Sequence, residues 1–156
     1  MGSQSNDHPG VLVHPPFLYL GGLAVLIAAH LLKPLPIVST RVLFIPGILV
    51  VIAGIALLGW ARRTMVSAGT NINPRKPTTV IVDSGPFRFT RNPFYVAIST
   101  IFLGVTLILN EWAGLAILVV MLGVIHFGVV LREERYLEVK FGQLYRDYRA
   151  RVRRWI

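Results

Sequence analysis

The 156-residue sequence contains no cysteine and few acidic residues. The absence of cysteine excludes disulfides, thiolate metal ligands and cysteine nucleophiles. Charged residues make up only 15% of the chain, whereas soluble domains carry roughly a quarter. Sixteen Lys and Arg against seven Asp and Glu give a formal charge of +9, and hydrophobic residues make up 54%. A soluble nucleic-acid-binding protein shares the charge but not this apolar content. The composition therefore predicts a single-domain integral membrane protein with no nucleic-acid partner.

Four apolar runs without Asp, Glu, Lys or Arg carry most of the hydrophobic residues. A transmembrane helix needs about 20 mainly apolar residues, with a range of ~17–25. None of the runs alternates as a barrel strand does, and a helix satisfies its backbone groups within one segment. The sequence therefore predicts an all-α integral membrane helical bundle, one domain over 1–156. Its parts are four transmembrane helices (16–32, 42–61, 93–110 and 112–131), a cytoplasmic loop (62–92) and a C-terminal amphipathic helix (133–155).

The distribution of Lys and Arg predicts the orientation of this bundle. Positive charges concentrate on the cytoplasmic side of membrane proteins, and most lie in the 62–92 loop or after residue 131. Only Lys33 and Arg41 lie in the other two connections. Both termini are therefore expected in the cytoplasm, in a bacterial inner (plasma) membrane. Apolar residues of the tail recur every three or four positions between arginines, which indicates a helix lying on anionic membrane lipids.

The sequence lacks the familiar nucleotide and metal motifs. It has no phosphate-binding loop, no G-x-G-x-x-G, no H-E-x-x-H, and its four histidines lack metal-ligand spacing, so no metal is predicted. The predicted spans contain no Asp or Glu, which disfavours an ion-coupled transporter. His126 lies deep in the fourth span, and Glu133 follows seven residues later on the same face of a regular helix. His126 is thus either packed within the bundle or part of a polar column lining a cytoplasmic pocket.

Two segments at the cytoplasmic ends of the predicted spans are unusual. The acidic pair at 133–134 is explained either by solvated ion pairs or by a site for a cationic or hydroxyl-bearing ligand. The segment Gly85–Tyr95 reads G-P-F-R-F-T-R-N-P-F-Y. Asn92 suits an N-cap and Pro93 the first helical position. A helix N-terminus beside Arg91 suits a carboxylate, although a positively charged anchor before a span also explains the arginines.

The order of these motifs along the chain resembles that of a known protein family. The string ending at Tyr95, one pair of spans, the acidic pair, and then Phe141-Gly142, Tyr145 and Tyr148 follow one another. This order resembles the isoprenylcysteine carboxyl methyltransferase family, which is similar to the membrane phospholipid methyltransferases, over about residues 60–154. It implies an S-adenosylmethionine-dependent methyltransferase acting on a lipid or lipophilic small molecule (a carboxylate, amine or thiol) at the cytoplasmic face. The implied cofactor-binding residues are Thr79, Val80, Ile81, Val82, Phe87, Asn92, Pro93, Phe94, Tyr95 and Glu133, with Glu134 in support.

The residues themselves suggest catalytic roles within such an enzyme, and the sequence departs from the family at two positions. Arg91 is expected to receive the cofactor carboxylate, and His126 is the candidate base for an amine or thiol acceptor. Asn92 stands where the family often has His, so this position cannot titrate. Val129 stands where eukaryotic members have a substrate-binding Arg, so prenylcysteine recognition is not implied. Two alternatives remain open: a membrane NADPH-dependent reductase of the sterol reductase type, and a non-enzymatic membrane protein that binds lipid or a partner.

Overall fold

The structure, a computed structural model, describes residues 10–70 and 78–156. Residues 1–9, and 71–77 of the expected cytoplasmic loop, lie outside the described residues. The part described is helical with no β-strand, which confirms the all-α prediction. Short 3₁₀ turns form at Arg41–Leu43 and Gly85–Arg88, and a π turn forms at His126–Val130. The α-helices are α1 (Pro15–Leu32), α2 (Phe44–Ser67), α3 (Pro93–Leu109), α4 (Trp112–Ile125), α5 (Leu131–Phe141) and α6 (Gln143–Arg151).

Three helical segments are long and apolar enough to cross a membrane: Pro15–Leu32, Arg41–Ser67 and Trp112–Phe141. Helix α3 is also apolar but has only 17 residues, at the lower end of the usual range for a span. The membrane-helix character of all four predicted runs therefore holds, while three of them reach full spanning length. The count of four complete spans stays a prediction.

The fourth predicted span does not end at residue 131. Helix α4, the π turn and α5 form one 30-residue helix, Trp112–Phe141, about 45 Å long at ~1.5 Å per residue. A hydrocarbon core is about 30 Å thick, so roughly three turns of this helix extend beyond it. Gly142 has a φ of 54°, a conformation that glycine adopts at little cost, and the helix ends there. The amphipathic tail helix expected over 133–155 is not confirmed as one element: α5 continues the membrane helix, α6 is separate beyond Gly142, and the backbone is extended at Val152.

Small residues let α2 and α3 pack closely. Gly47 and Gly54 are both buried and lie seven residues apart, two turns along one face of α2. A Cβ at Gly54 would lie 2.9 Å from the nitrogen of Ile101 and 3.0 Å from the carbonyl oxygen of Ala97. A Cβ at Gly47 would lie 2.8 Å from the carbonyl oxygen of Gly104. The two backbones approach so closely that no larger side chain fits between them.

The two short connections pack together at one end of the bundle. Glu111 is 1% exposed, and its Oε1 lies 2.8 Å from His30 Nδ1. Its Oε2 accepts a hydrogen bond of 3.1 Å from the Leu35 N–H. Asn110, in the left-handed conformation, exchanges two side-chain hydrogen bonds with the backbone of Val38. These contacts bind the α3–α4 turn to the α1–α2 connection, and the acidic pair lies at the opposite end of the 30-residue helix.

Candidate functional site

The C-terminal residues bind along the segment that leads into α3. We call residues 90–92 the entry segment and residues 152–156 the C-terminal strap. The Arg91 N–H donates to the carbonyl of Arg153 at 2.9 Å. The Thr90 hydroxyl and the Asn92 side-chain amide both donate to the carbonyl of Arg154, at 3.1 and 2.9 Å. The strap therefore fixes the position of the entry segment.

Asn92 occupies the predicted N-cap position of α3, but its side chain does not cap the helix. The side-chain amide instead donates to the Arg154 carbonyl in the strap, a contact that the local sequence did not predict. Pro93 takes the first helical position, as predicted. The first turn of α3 therefore keeps backbone N–H groups without a side-chain partner, an arrangement that suits an anion.

Glu134 joins α5 to both the strap and the entry segment. The carboxylate is buried and accepts two hydrogen bonds of 2.9 Å from Nε and Nη2 of Arg154, a bidentate pair. Its Oε1 also lies 3.0 Å from Nη1 of Arg91. One buried carboxylate is thus shared by two guanidinium groups from different parts of the chain.

A cavity of about 470 Å³ opens beside this network, a size typical of small-molecule sites. Its walls are mainly apolar and aromatic, and Arg91 and Glu133 are the charged residues among the described parts of its lining. The Tyr95 hydroxyl donates to Oε1 of Glu133 at 2.9 Å, which orients this carboxylate. The sequence-predicted site residues that line the cavity are Val80, Ile81, Val82, Phe87, Arg91, Asn92, Pro93, Phe94, Tyr95 and Glu133.

Three predicted site residues lie outside this lining. Thr79 is exposed, and its hydroxyl donates to the carbonyl of Gly69 at 3.2 Å. Glu134 faces the two arginines described above instead of the cavity. His126 lines a second cavity of about 700 Å³ between α3 and α4, where its ring lies 6.1 Å from that of Trp155.

The π turn explains the position of His126. The expectation that His126 and Glu133 share a face rests on seven residues of regular α-helix. In His126–Val130 the hydrogen bonds run from i to i+5, so the turn contains about one additional residue. At about 100° per residue, the helix beyond it is rotated by roughly a quarter of a circle. The structure therefore does not bring His126 to the cavity that Glu133 lines.

Sequence reasoning assigned no role to several residues that line the cavity. Tyr145 and Tyr148, three residues apart on one face of α6, line it beside Tyr136 of α5. The Tyr148 hydroxyl donates to the carbonyl of Phe87 at 2.9 Å, and Nη1 of Arg91 donates to the Tyr145 hydroxyl at 3.2 Å. Burial raises the pKa of both α6 phenols, so they keep their protons at neutral pH. The i, i+3 spacing of Tyr145 and Tyr148 is the sequence signal that could have placed both on one face of a helix. His14, Pro15, Pro16, Met65, Thr78, Ile98 and Leu137 also line the cavity.

The donor and acceptor groups of the cavity fit S-adenosylmethionine. Nε of Arg91 is buried and has no hydrogen-bond partner within the described parts of the chain. An unsatisfied buried N–H costs about 1–3 kcal/mol, and the carboxylate of an amino acid would satisfy it. Glu133 offers an acceptor for an ammonium or hydroxyl group, and the rings of Phe87 and Phe94, 6.4 Å apart, suit an adenine or a sulfonium. No group of three or more His, Asp or Glu suited to a metal ion occurs in residues 10–70 or 78–156.

Apolar helices with an aromatic cavity at their ends define a helical membrane protein with a cavity of small-molecule size. Comparison with known proteins identifies the family: residues 42–144, more than half of the chain, match the phospholipid methyltransferase model. The chain therefore belongs to the phospholipid methyltransferase family, a family of membrane methyltransferases, and the resemblance found in the sequence is confirmed. A 63-residue segment is 43% identical to an uncharacterized protein of Haemophilus influenzae, covering 40% of this chain and 98% of that protein. No solved structure gives a significant match.

Proposed function

We propose that this protein is an S-adenosylmethionine-dependent methyltransferase that modifies a lipophilic acceptor, and that the 470 Å³ cavity binds the cofactor. One observation carries the proposal. The first turn of α3 and the C-terminal third of the long membrane helix, far apart in sequence, meet at the Tyr95–Glu133 hydrogen bond inside one aromatic cavity. Arg91, whose buried Nε has no hydrogen-bond partner within the described parts of the chain, lines the same cavity.

The lining residues divide the binding of S-adenosylmethionine among them. Nε of Arg91 and the N–H groups that begin α3 hold its carboxylate. Glu133, oriented by Tyr95, accepts hydrogen bonds from its ammonium group or ribose hydroxyls. When bound, the cofactor supplies a methyl group on a positively charged sulfonium. The enclosed cavity then holds the acceptor in position, which is the main contribution that such a transfer needs from the protein.

The charge of the cavity favours an amine as the acceptor. Arg91 is the single cation among the described lining residues, and it already pairs with Glu134. No second cation is left there for an acceptor carboxylate. Val129, at the position of the family's substrate arginine, is completely buried outside the cavity. Aromatic rings and the Glu133 carboxylate instead suit a cation, such as the amine headgroup of a lipid.

The same charge argument disfavours the reductase alternative. NADPH carries several negative charges on its phosphates, and dinucleotide sites neutralise them with cations and helix N-termini. The described lining offers one arginine, shared with a carboxylate. We propose that the methyltransferase site lies at the cytoplasmic face of a bacterial inner membrane, because the last turns of α2, the entry segment, α5, α6 and the strap together carry most of the arginines. The acceptor then reaches the site from the surrounding lipid.

A transfer assay tests this function. The purified protein in detergent is incubated with S-adenosylmethionine tritiated at the methyl group and with a total polar lipid extract. We expect label in the organic-soluble fraction, in a product that requires the protein. Absence of transfer together with thermal stabilisation by NADPH would favour the reductase. Absence of transfer with anionic-lipid binding that persists in Glu133→Gln would favour a non-enzymatic lipid-binding protein.

A further inference from the structure

The segment before α1 is held against the end of the cavity by contacts with the long membrane helix. The Leu12 N–H donates to the carbonyl of Gly128, in the π turn, at 3.2 Å. One turn further on, Nη1 of Arg132 donates to the carbonyl of Gly10 at 3.3 Å. These two bonds fix the course of residues 10–12, and α1 begins at Pro15. These contacts therefore set the position of His14 beside the cavity.

The His14 ring lines the cavity and is only half-buried. Its ring centroid lies 5.2 Å from that of Phe17, a contact that limits its rotation. Nδ1 is buried and has no hydrogen-bond partner in residues 10–70 and 78–156. No described protein group therefore locks the tautomer of this imidazole, and a partner from a bound ligand would remove the cost of the unsatisfied nitrogen.

His14 and the Glu133 carboxylate are the groups of the described lining that can accept a proton at neutral pH, and the proposed function assigns Glu133 to the cofactor. Arg91 is already a cation, and Glu133 is engaged by the Tyr95 hydroxyl. The phenols are donors that hold their protons, whereas imidazole changes its charge in the physiological pH range. The other titratable and charged groups in the described lining of this cavity are Arg91, Tyr95, Glu133, Tyr136, Tyr145 and Tyr148.

We propose that His14 accepts the proton that the amine acceptor must lose before methyl transfer; this inference rests on the proposed function. A lipid amine is protonated at neutral pH, so its nitrogen has no free electron pair. The His14 imidazole accepts one N–H proton. The freed pair forms a bond to the methyl carbon as the carbon–sulfur bond breaks, and that bond's electrons stay on sulfur as a neutral thioether. The imidazolium then releases its proton to water.

The test compares His14→Gln with wild type and with His126→Gln. Glutamine keeps hydrogen-bonding capacity but cannot take up a proton in this range. Each protein is given tritiated S-adenosylmethionine and vesicles containing phosphatidylethanolamine, with phosphatidylcholine vesicles as the control without an N–H group. We expect His14→Gln to lower kcat by about 10²–10⁴-fold, the usual contribution of a general base. Cofactor affinity, measured separately by equilibrium binding, should stay within about twofold of wild type, since no free-energy difference beyond ~0.4 kcal/mol is expected.

The pH profile separates proton transfer from a structural role. In wild type, kcat should rise with pH and reach a plateau, because a general base works only in its unprotonated form. In His14→Gln this rise should move to the higher pH at which the amine itself deprotonates. The inference is overturned if His14→Gln keeps the wild-type rate and profile, or if His126→Gln alone removes the rise. Wild type that binds the cofactor without methylating the amine lipid also overturns it and leaves the cofactor site standing. Failure of wild type to bind the cofactor contradicts the proposed function itself.

Discussion

Replacing Arg154 with alanine should destabilise the fold and weaken cofactor binding together. Arg154 forms the bidentate pair with the buried carboxylate of Glu134, and that carboxylate also holds Arg91. Without Arg154, Glu134 keeps a single cation. The side chain of Arg91 can then shift further towards Glu134. The strap also loses the Arg154 side chain that holds it to α5.

The magnitude follows from the exposure of the pair. Breaking a fully buried ion pair costs about 3–5 kcal/mol. Here the Glu134 side chain is 9% exposed and that of Arg154 is 35% exposed, and Arg91 continues to compensate the carboxylate. Two charge-assisted bonds in this setting are worth about 1.5–3 kcal/mol in total. At about 2–4 °C per kcal/mol for a chain of this size, the midpoint of thermal unfolding should fall by roughly 3–12 °C.

Arg153→Ala is the matched control, because the Arg153 side chain is exposed and only its carbonyl contacts the entry segment. Its unfolding midpoint should stay close to wild type, within ~0.5 kcal/mol. Thermal unfolding in one detergent is measured for both variants, for Glu134→Gln and for the double variant Glu134→Gln/Arg154→Ala. The two changes should be strongly non-additive, because they remove one shared interaction. Equal losses in Arg153→Ala and Arg154→Ala, or simple additivity, would refute the reasoning.

Two further predictions concern the helix packing and the cavity. Gly54→Ala should lower the unfolding midpoint by the equivalent of about 1–3 kcal/mol, because its Cβ meets the backbone of α3. Gly59→Ala on the same helix, with nothing within 4 Å of its Cβ, should leave the midpoint unchanged or slightly raised; a reversed order of the two would contradict the packing. Tyr95→Phe removes the hydrogen bond to Glu133 and should weaken S-adenosylmethionine binding about 10–100-fold in equilibrium binding. Unchanged affinity would show that Glu133 does not need Tyr95.

Local sequence patterns predicted the helices whose formation depends on residues close to them in the sequence. Helix α3 begins at Pro93, as its proline indicated, although Asn92 before it donates to the strap instead of capping the helix. The long apolar runs became α1, α2 and α4 because lipid selects helices for uncharged segments of that length. The cofactor roles expected for Tyr95 and Glu133 came from the family resemblance, and these two residues meet at one cavity.

The parts that local patterns missed depend on distant or irregular backbone. The π turn changes the helical period at His126, which periodicity arguments take as constant, so the expected His126–Glu133 column does not form. The strap binds the entry segment mainly through backbone carbonyls, which carry no sequence signature. The partners of Glu134 lie 20 and more residues away in sequence, so its structural role was not visible beside Glu133.

Equilibrium binding of tritiated S-adenosylmethionine to the purified protein is the most direct measurement of the central claim. Glu133→Gln should weaken binding at least about tenfold, since a hydrogen bond to a charged group is worth ~1.5–3 kcal/mol. Glu138→Gln on the same helix is the control, because Glu138 pairs with Arg149 outside the cavity, and it should bind as wild type does. Binding to wild type and to Glu133→Gln with equal affinity would contradict the account, because the cavity beside Tyr95 would then not be where the cofactor binds.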